Sequence, residues 1–316
     1  MKSYRYLYGP VPSRRLGRSL GIDLVPHKIC TYDCIYCQIG KTTQKTINRK
    51  EYVPVQEILE EVRRFLEEDH PPVDYLSLGG SGEPTLHSEI GRIIKGIKEM
   101  TSIPLTVITN GALLYEQAVR EDLLMADVVL PSLDAVSPDG FEKINRPYPS
   151  LSIERIIDGL VEFRKIFKGK IWLEILFCKG VNDSPEELDK MKKAIERIQP
   201  DLIHLNTVVR PPSEEWAMAL SQKEMEEIRT FLGERASIIS EFDRHPSFLT
   251  ERDIKDEILK ILKRRPLSLA DLSRGMGLSE KELQNHIESL VSNGNIKMRT
   301  FKGLAFYEAG REIELP

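Results

Sequence analysis

Three cysteines fall within eight residues, Cys30-Thr-Tyr-Asp-Cys34-Ile-Tyr-Cys37, and the chain has one other, Cys178. A C-x3-C-x2-C spacing lets one loop wrap three thiolates around a single centre, as the irons of an iron–sulfur cluster require. Three thiolates for four irons leave one iron open to a ligand that is not protein. Zinc is the alternative, because His27 stands three residues before Cys30 and can supply a fourth ligand. A disulfide scaffold would hold more cysteines, spread more evenly. Cys178 reads as a buried apolar residue, with a substrate or cluster ligand and a radical relay as the other readings.

A second constellation follows: Gly79-Gly80-Ser81-Gly82-Glu83-Pro84-Thr85-Leu86, directly after an apolar run. Glycines at a strand's C-terminal end let a ligand approach the backbone, and a carboxylate there can bind an ammonium group. Other polar residues close later apolar runs: Thr109-Asn110-Gly111, Ser132-Leu133-Asp134 and Asn206, with Glu174 inside a fifth run. Each of these also has an ordinary reading as a turn former or loop cap.

These residues need a frame. Short apolar runs at 19–25, 73–78, 105–109, 128–133, 171–177 and 202–208 alternate with helical patterns at 55–68, 89–100, 115–125, 153–167 and 185–198. In the first helix Ile58, Leu59, Val62, Phe65 and Leu66 recur at helical spacing. Six such βα units imply a parallel sheet covered on its faces, in the α/β class. They are too few for a closed eight-fold barrel, so a partial (β/α)6 barrel is expected. A helix at 222–233 and a strand near Ile238 can complete a core domain over 1–241, with a linker at 242–251. Residues 252–316 then read as three helices and a hairpin, a winged helix-turn-helix-like domain. There Ser279 and Glu282 form a capping box.

Composition is ordinary for a globular chain of 316 residues, with 41% hydrophobic and 30% charged residues. No apolar run approaches membrane-spanning length, and the N-terminus lacks a signal-peptide core, so a cytoplasmic protein is expected. Net charge is −4 but uneven. Residues 1–50 carry ten Lys/Arg against Asp23 and Asp33, a net of +8 that leaves −12 for the rest. A basic leading segment on an acidic body points to an anionic partner, or to a solvated basic loop.

The cysteine motif, with Tyr36 just before its last cysteine, resembles that of the radical-SAM superfamily, and the glycine-rich run resembles that superfamily's GGE motif. The resemblance implies a [4Fe-4S] cluster on Cys30, Cys34 and Cys37, with S-adenosylmethionine (SAM) on the open iron. It also implies reductive cleavage of SAM to a 5′-deoxyadenosyl radical and an external one-electron donor. It places Gly82 and Glu83, and less directly Gly80, at SAM's amino group. Thr109, Asn110, Ser132 and Asp134 fall at its carboxylate and ribose, Asn206 at its adenine, and Tyr36 beside the cofactor. Over 9–211 the chain is similar to iron–sulfur oxidoreductases related to the wyosine-base synthases that modify tRNA. It departs from them in Gln38-Ile39-Gly40 after the third cysteine and in having no second cysteine set.

Three functions follow as expectations: radical modification of tRNA or another anionic substrate, of a protein, peptide or small metabolite, or cluster-sensing DNA regulation. The helix at 279–292, with Glu280, Glu282 and Glu288 against Lys281 and His286, argues against DNA binding.

Overall fold

In the computed structural model the described residues are 4–239, 251–263, 266–276 and 278–310. The expected linker at 242–251 therefore lies almost wholly outside them, as do residues 311–316 of the expected last domain.

An eight-stranded sheet forms the frame. In chain order its strands are β1 (Leu7–Ser13), β2 (Gly17–Ile22), β5 (Tyr75–Leu78), β6 (Leu105–Thr109), β7 (Val128–Pro131), β8 (Lys170–Phe177), β9 (Leu202–Thr207) and β10 (Ala236–Ile238). They stand in that spatial order. From β2 onward each pair is parallel; β1 alone is antiparallel, folded back on β2 as a hairpin. A separate short parallel pair, β3 (Ile29–Cys30) and β4 (Gln44–Lys45), frames the cysteine loop.

Six helices connect the parallel strands: α1 (Val55–Glu67), α2 (Ile90–Met100), α3 (Gln117–Asp122), α4 (Pro138–Asn145), α5 (Ile153–Ile166) and α6 (Pro185–Ile198). A seventh, α7 (Gln222–Leu232), precedes β10. Their apolar residues recur at helical spacing. In α2, Ile90, Ile93, Ile94 and Ile97 are all fully buried, each stabilising by about 1.5–3 kcal/mol on leaving water. Serines cap four of these helices: Ser137, Ser152, Ser184 and Ser221 accept from the backbone N–H three residues on, and Pro138 and Pro185 occupy first-turn positions that need no N–H.

The expected parallel sheet with helical cover is present. Four differences are local. β1, which contains Gly9, Pro10 and Pro12, was not expected; an edge strand tolerates proline, and β1 is the edge. The first expected strand, at 19–25, starts two residues earlier and ends at Ile22. Helix α4 was also missed, being eight residues long with Pro138 and Gly140 in it. The helix expected at 115–125 is confined to Gln117–Asp122.

The last part of the chain comprises α8 (Glu251–Leu262), β11 (Leu267–Ser268), α9 (Leu269–Met276), α10 (Glu280–Ser292), β12 (Ile296–Phe301) and β13 (Leu304–Ala309). Its three strands form an antiparallel sheet in the order β11-β13-β12. The Ser279–Glu282 capping box is formed in both directions. The apolar core here, built on Ile258, Leu272, Leu283, Ile287 and Ile296, also takes in Val11 of β1. This unit thus covers the edge strand of the large sheet, a site that would otherwise offer unpaired backbone groups.

Candidate cofactor site and its cavity

The cysteine loop lies at the C-terminal ends of the parallel strands, where sites of this architecture form. Three neighbours clamp it. The glycine-rich loop binds it from one side: Ser81 donates to Asp23 from its N–H (2.8 Å) and hydroxyl (3.0 Å), Lys28 N donates to Ser81 O (2.6 Å), and Glu83 N donates to Ile29 O (3.0 Å). The end of α4 binds from another, with Ile35 N on Ile144 O and Asp33 N on Asn145 O. The segment after β9 closes the third side, where Ser213 Oγ donates to Cys34 O and Glu214 N to Ile35 O. Tyr32 and Ile35 are buried beneath, with Tyr32 edge-on to Phe141 at 5.3 Å. A loop so tied presents its sulfurs from a fixed backbone.

Cys30, Cys34 and Cys37 are unpaired thiols, each partly exposed. Each sulfur faces a nitrogen donor. Asn110 Nδ2 lies 3.5 Å from Cys30 Sγ, Asn145 Nδ2 3.4 Å from Cys34 Sγ, and Lys28 Nζ 3.1 Å from Cys37 Sγ. Burial pushes the Cys30 thiol up to about 12, and the Cys34 thiol well above its ordinary value. Anionic sulfur at these positions therefore requires a cation to bind it, and a metal centre meets that need. Three thiolates on one loop, with one iron left to a ligand that is not protein, fit a cluster. Lys28, itself 4% exposed, puts an ammonium among the three sulfurs.

The glycine-rich loop is shaped by close approach. Gly79 has φ of +140°, and a Cβ on Gly82 would overlap the Ile29 carbonyl. Glu83, expected at a ligand's ammonium group, is buried and accepts from protein donors. Its Oε1 accepts from Thr85 N (3.0 Å), Thr85 Oγ1 (2.6 Å) and Thr109 Oγ1 (2.6 Å), and its Oε2 from Asn110 N (2.7 Å). It is 2% exposed. The carboxylate ties the end of β5 to the end of β6. Thr109 serves the same tie, while Asn110 adds donors to Thr31 Oγ1 (2.7 Å) and Cys30 Sγ.

Asp134 is likewise occupied by protein groups. It accepts from Tyr36 OH (2.5 Å), Asn145 Nδ2 (2.8 Å) and Leu176 N (3.0 Å). Through Asn145 it orients the amide that faces Cys34, and through Tyr36 it fixes the residue before Cys37. Burial raises its carboxyl, and these hydrogen bonds pull it back down.

Tyr36, Cys37, Ser132, Asp134 and Asn206 line a common cavity of about 220 Å³. Gly80, Gly82, Glu83, Thr109 and Asn110 are not among its lining residues. Of these, Gly82 and Glu83 meet the cysteine loop at Ile29 and Asn110 meets it at Cys30 and Thr31. Sequence reasoning missed Lys28, Asn145 and Arg210 as site residues. Lys28 and Arg15 both lay within the flagged basic segment, where Arg14, Arg15 and Arg18 were expected to serve a carboxylate or phosphate or to pair with the acidic body; Asn145 gave no signal, because it ends the unrecognised α4. Cys178 is fully buried and stands outside this lining, donating its backbone N–H to Asn182 Oδ1 at 2.8 Å.

Comparison with known proteins agrees with this geometry. The sequence profile of the Radical SAM superfamily matches residues 24–199. The UPF0026 protein of Methanocaldococcus jannaschii is 30% identical over 95% of this chain and 94% of its own length. A UPF0026 protein of Helicobacter pylori is 33% identical over 95% and 96%. A Brachyspira hyodysenteriae protein named GTPase Obg is 38% identical over 95% of this chain, which spans only 45% of that protein. The present sequence contains no G-x-x-x-x-G-K-[ST] phosphate loop. In fold, the chain is similar to a radical SAM methyltransferase from Sphaerobacter thermophilus, with a TM-score of 0.54 and 15% identity over 70% of this chain and 65% of that one. Native anSMEcpe with bound AdoMet gives 0.50 and 17%, over 68% and 58%. With its clamped C-x3-C-x2-C loop at the open end of a partial barrel, the chain belongs to the radical SAM superfamily.

Proposed function

We propose that this protein is an enzyme in which Cys30, Cys34 and Cys37 hold a [4Fe-4S] cluster, and in which the cavity beside Cys37 receives SAM and substrate. The observation that carries this is the set of three sulfurs on one clamped loop, each met by an N–H donor. Cluster and SAM, when bound, supply reductive cleavage of a sulfonium C–S bond to a 5′-deoxyadenosyl radical that abstracts hydrogen. The chain's own residues prepare that chemistry. Asn110, Asn145 and Lys28 offset negative charge on the sulfurs. Asp134 fixes Tyr36 and Asn145. The buried apolar ring around Tyr32, Ile35 and Phe141 keeps water from the loop's underside. The electron comes from an external one-electron donor. We read the last three helices and hairpin as a winged-helix-like unit that covers β1.

Modification of tRNA is the second reading, motivated by the basic leading segment. At least eight of its ten basic residues meet protein groups, Arg15 through Glu174. Arg5, Arg18, Lys41 and Arg49 pair with Glu57, Asp74, Glu214 and Asp122. Lys45 meets two carbonyls, Lys28 meets Cys37, and Lys50 lies over Tyr52. Such dispersed pairing supports a compact substrate more than a polyanion's backbone. Anaerobic reconstitution with iron, sulfide, dithionite and SAM tests the reaction: 5′-deoxyadenosine should form with wild type and not with Cys34→Ala. Cleavage by Cys34→Ala would defeat the assignment. Retention of bulk tRNA at low salt and release at high salt would favour the second reading.

A further inference from the structure

Arg14 and Arg15, in the turn between β1 and β2, both line the cavity beside Cys37. Arg15 reaches across to the Glu174 carboxylate on β8. Both side chains are largely shielded, at 19% and 13% exposure. Arg210, from the segment after β9, completes the same wall and donates to Gln38 Oε1 at 3.0 Å. Three guanidinium groups thus border one small cavity. Of the two carboxylates there, Asp134 is committed to Tyr36, Asn145 and Leu176. Glu174 is the acid that pairs with Arg15.

We infer that this wall is an anion-docking site, where a carboxylate or phosphate of a compact substrate takes Glu174's place on Arg15 and is shared with Arg14 and Arg210. This substrate class rests on the radical SAM reading above. A guanidinium fork binds either anion through paired N–H donors, and partial burial spares such contacts from salt screening. A shielded arginine needs a counter-charge when no substrate is present. Glu174 supplies it. When an anion displaces it, Glu174 retains a partner in Asn206 Nδ2, at 3.2 Å. That amide is neutral, so the charges of Arg14, Arg15 and Arg210 together must balance both Glu174 and the docked anion. The cavity's contact with Cys37 puts the docked molecule beside the cluster loop.

The test is calorimetric titration of anaerobically reconstituted protein with inorganic phosphate and, separately, succinate, at constant ionic strength. At least one should bind saturably, and which one does identifies the anion. Glu174→Gln removes the internal competitor and should tighten binding severalfold. The Arg15→Gln/Glu174→Gln double variant removes both charges together and should weaken binding at least about tenfold, the loss of one charge-assisted contact. Arg210→Gln leaves the Arg15–Glu174 pair intact and should also weaken it, which keeps the idea testable if the double variant misfolds. Binding of neither anion, or wild-type affinity in both the double variant and Arg210→Gln, would overturn it. Iron, sulfide and 5′-deoxyadenosine are measured alongside. Protein that cleaves SAM yet binds neither anion sinks only the docking site. Protein that binds an anion but takes up no cluster sinks only the radical SAM reading.

Discussion

Glu83 shows how a motif residue can act through its neighbours. Its carboxylate collects four hydrogen bonds from Thr85, Thr109 and Asn110 in a fully buried setting. Glu83→Ala should therefore cost about 3 kcal/mol of stability, since buried donors lose a charged acceptor. Glu83→Gln should cost clearly less. Urea denaturation of the apo protein checks this, and equal stability of Glu83→Ala and wild type would contradict it. His204 gives a pH signature. Burial first, and then Arg15, lowers its pKa to about 4, from 6.5 in the unfolded chain. Above pH 6.5 both states hold it neutral. As pH falls from 6.5 toward 4 the unfolded state takes up a proton that the native state refuses, so stability drops by up to about 1.4 kcal/mol per pH unit. His204→Gln should flatten that part of the urea-midpoint profile. An unchanged slope would mean that His204 ionises normally in the fold.

At the scale of elements, the sequence was most informative where contacts are local. The cysteine spacing, the glycine-rich run and the Ser279–Glu282 box all lie within eight residues, so they could be read directly. So could the parallel strands, whose apolar runs end in turn residues. Contacts made by the curl of the sheet could not. Tyr36 and Asp134 are 98 residues apart, and Asn145 and Cys34 are 111 apart. Arg15 meets Glu174 only because the β1–β2 turn reaches across to β8. Sequence likewise places Glu83 and Asp134 at strand ends but does not say which protein groups donate to their oxygens. The edge strand supports one more prediction. Val11 is 8% exposed in the core it shares with Ile258 and Leu283. Val11→Asp buries a charge there and should release the C-terminal unit from β1. Limited proteolysis should then cleave between the two units at least about tenfold faster, a shift of 1.4 kcal/mol in the opening equilibrium. Unchanged cleavage would show that Val11 does not hold the contact.

At the scale of the whole molecule, a twisted parallel sheet brings the glycine-rich loop, α4 and the segment after β9 to one end, where together they fix the cysteine loop. No described helix is long and apolar enough to cross a membrane. The basic leading segment becomes mostly a set of local pairs, Arg15 with Glu174 among them, while Arg14 and Arg15 line the cavity. All of this depends on three sulfurs holding an iron–sulfur centre. The most direct measurement is metal and acid-labile sulfide content after anaerobic reconstitution. About four iron and four sulfide per chain are expected for one [4Fe-4S] cluster, with Cys30→Ala, Cys34→Ala and Cys37→Ala each losing them. One zinc per chain, with no iron or sulfide and no capacity to take them up, would contradict the account.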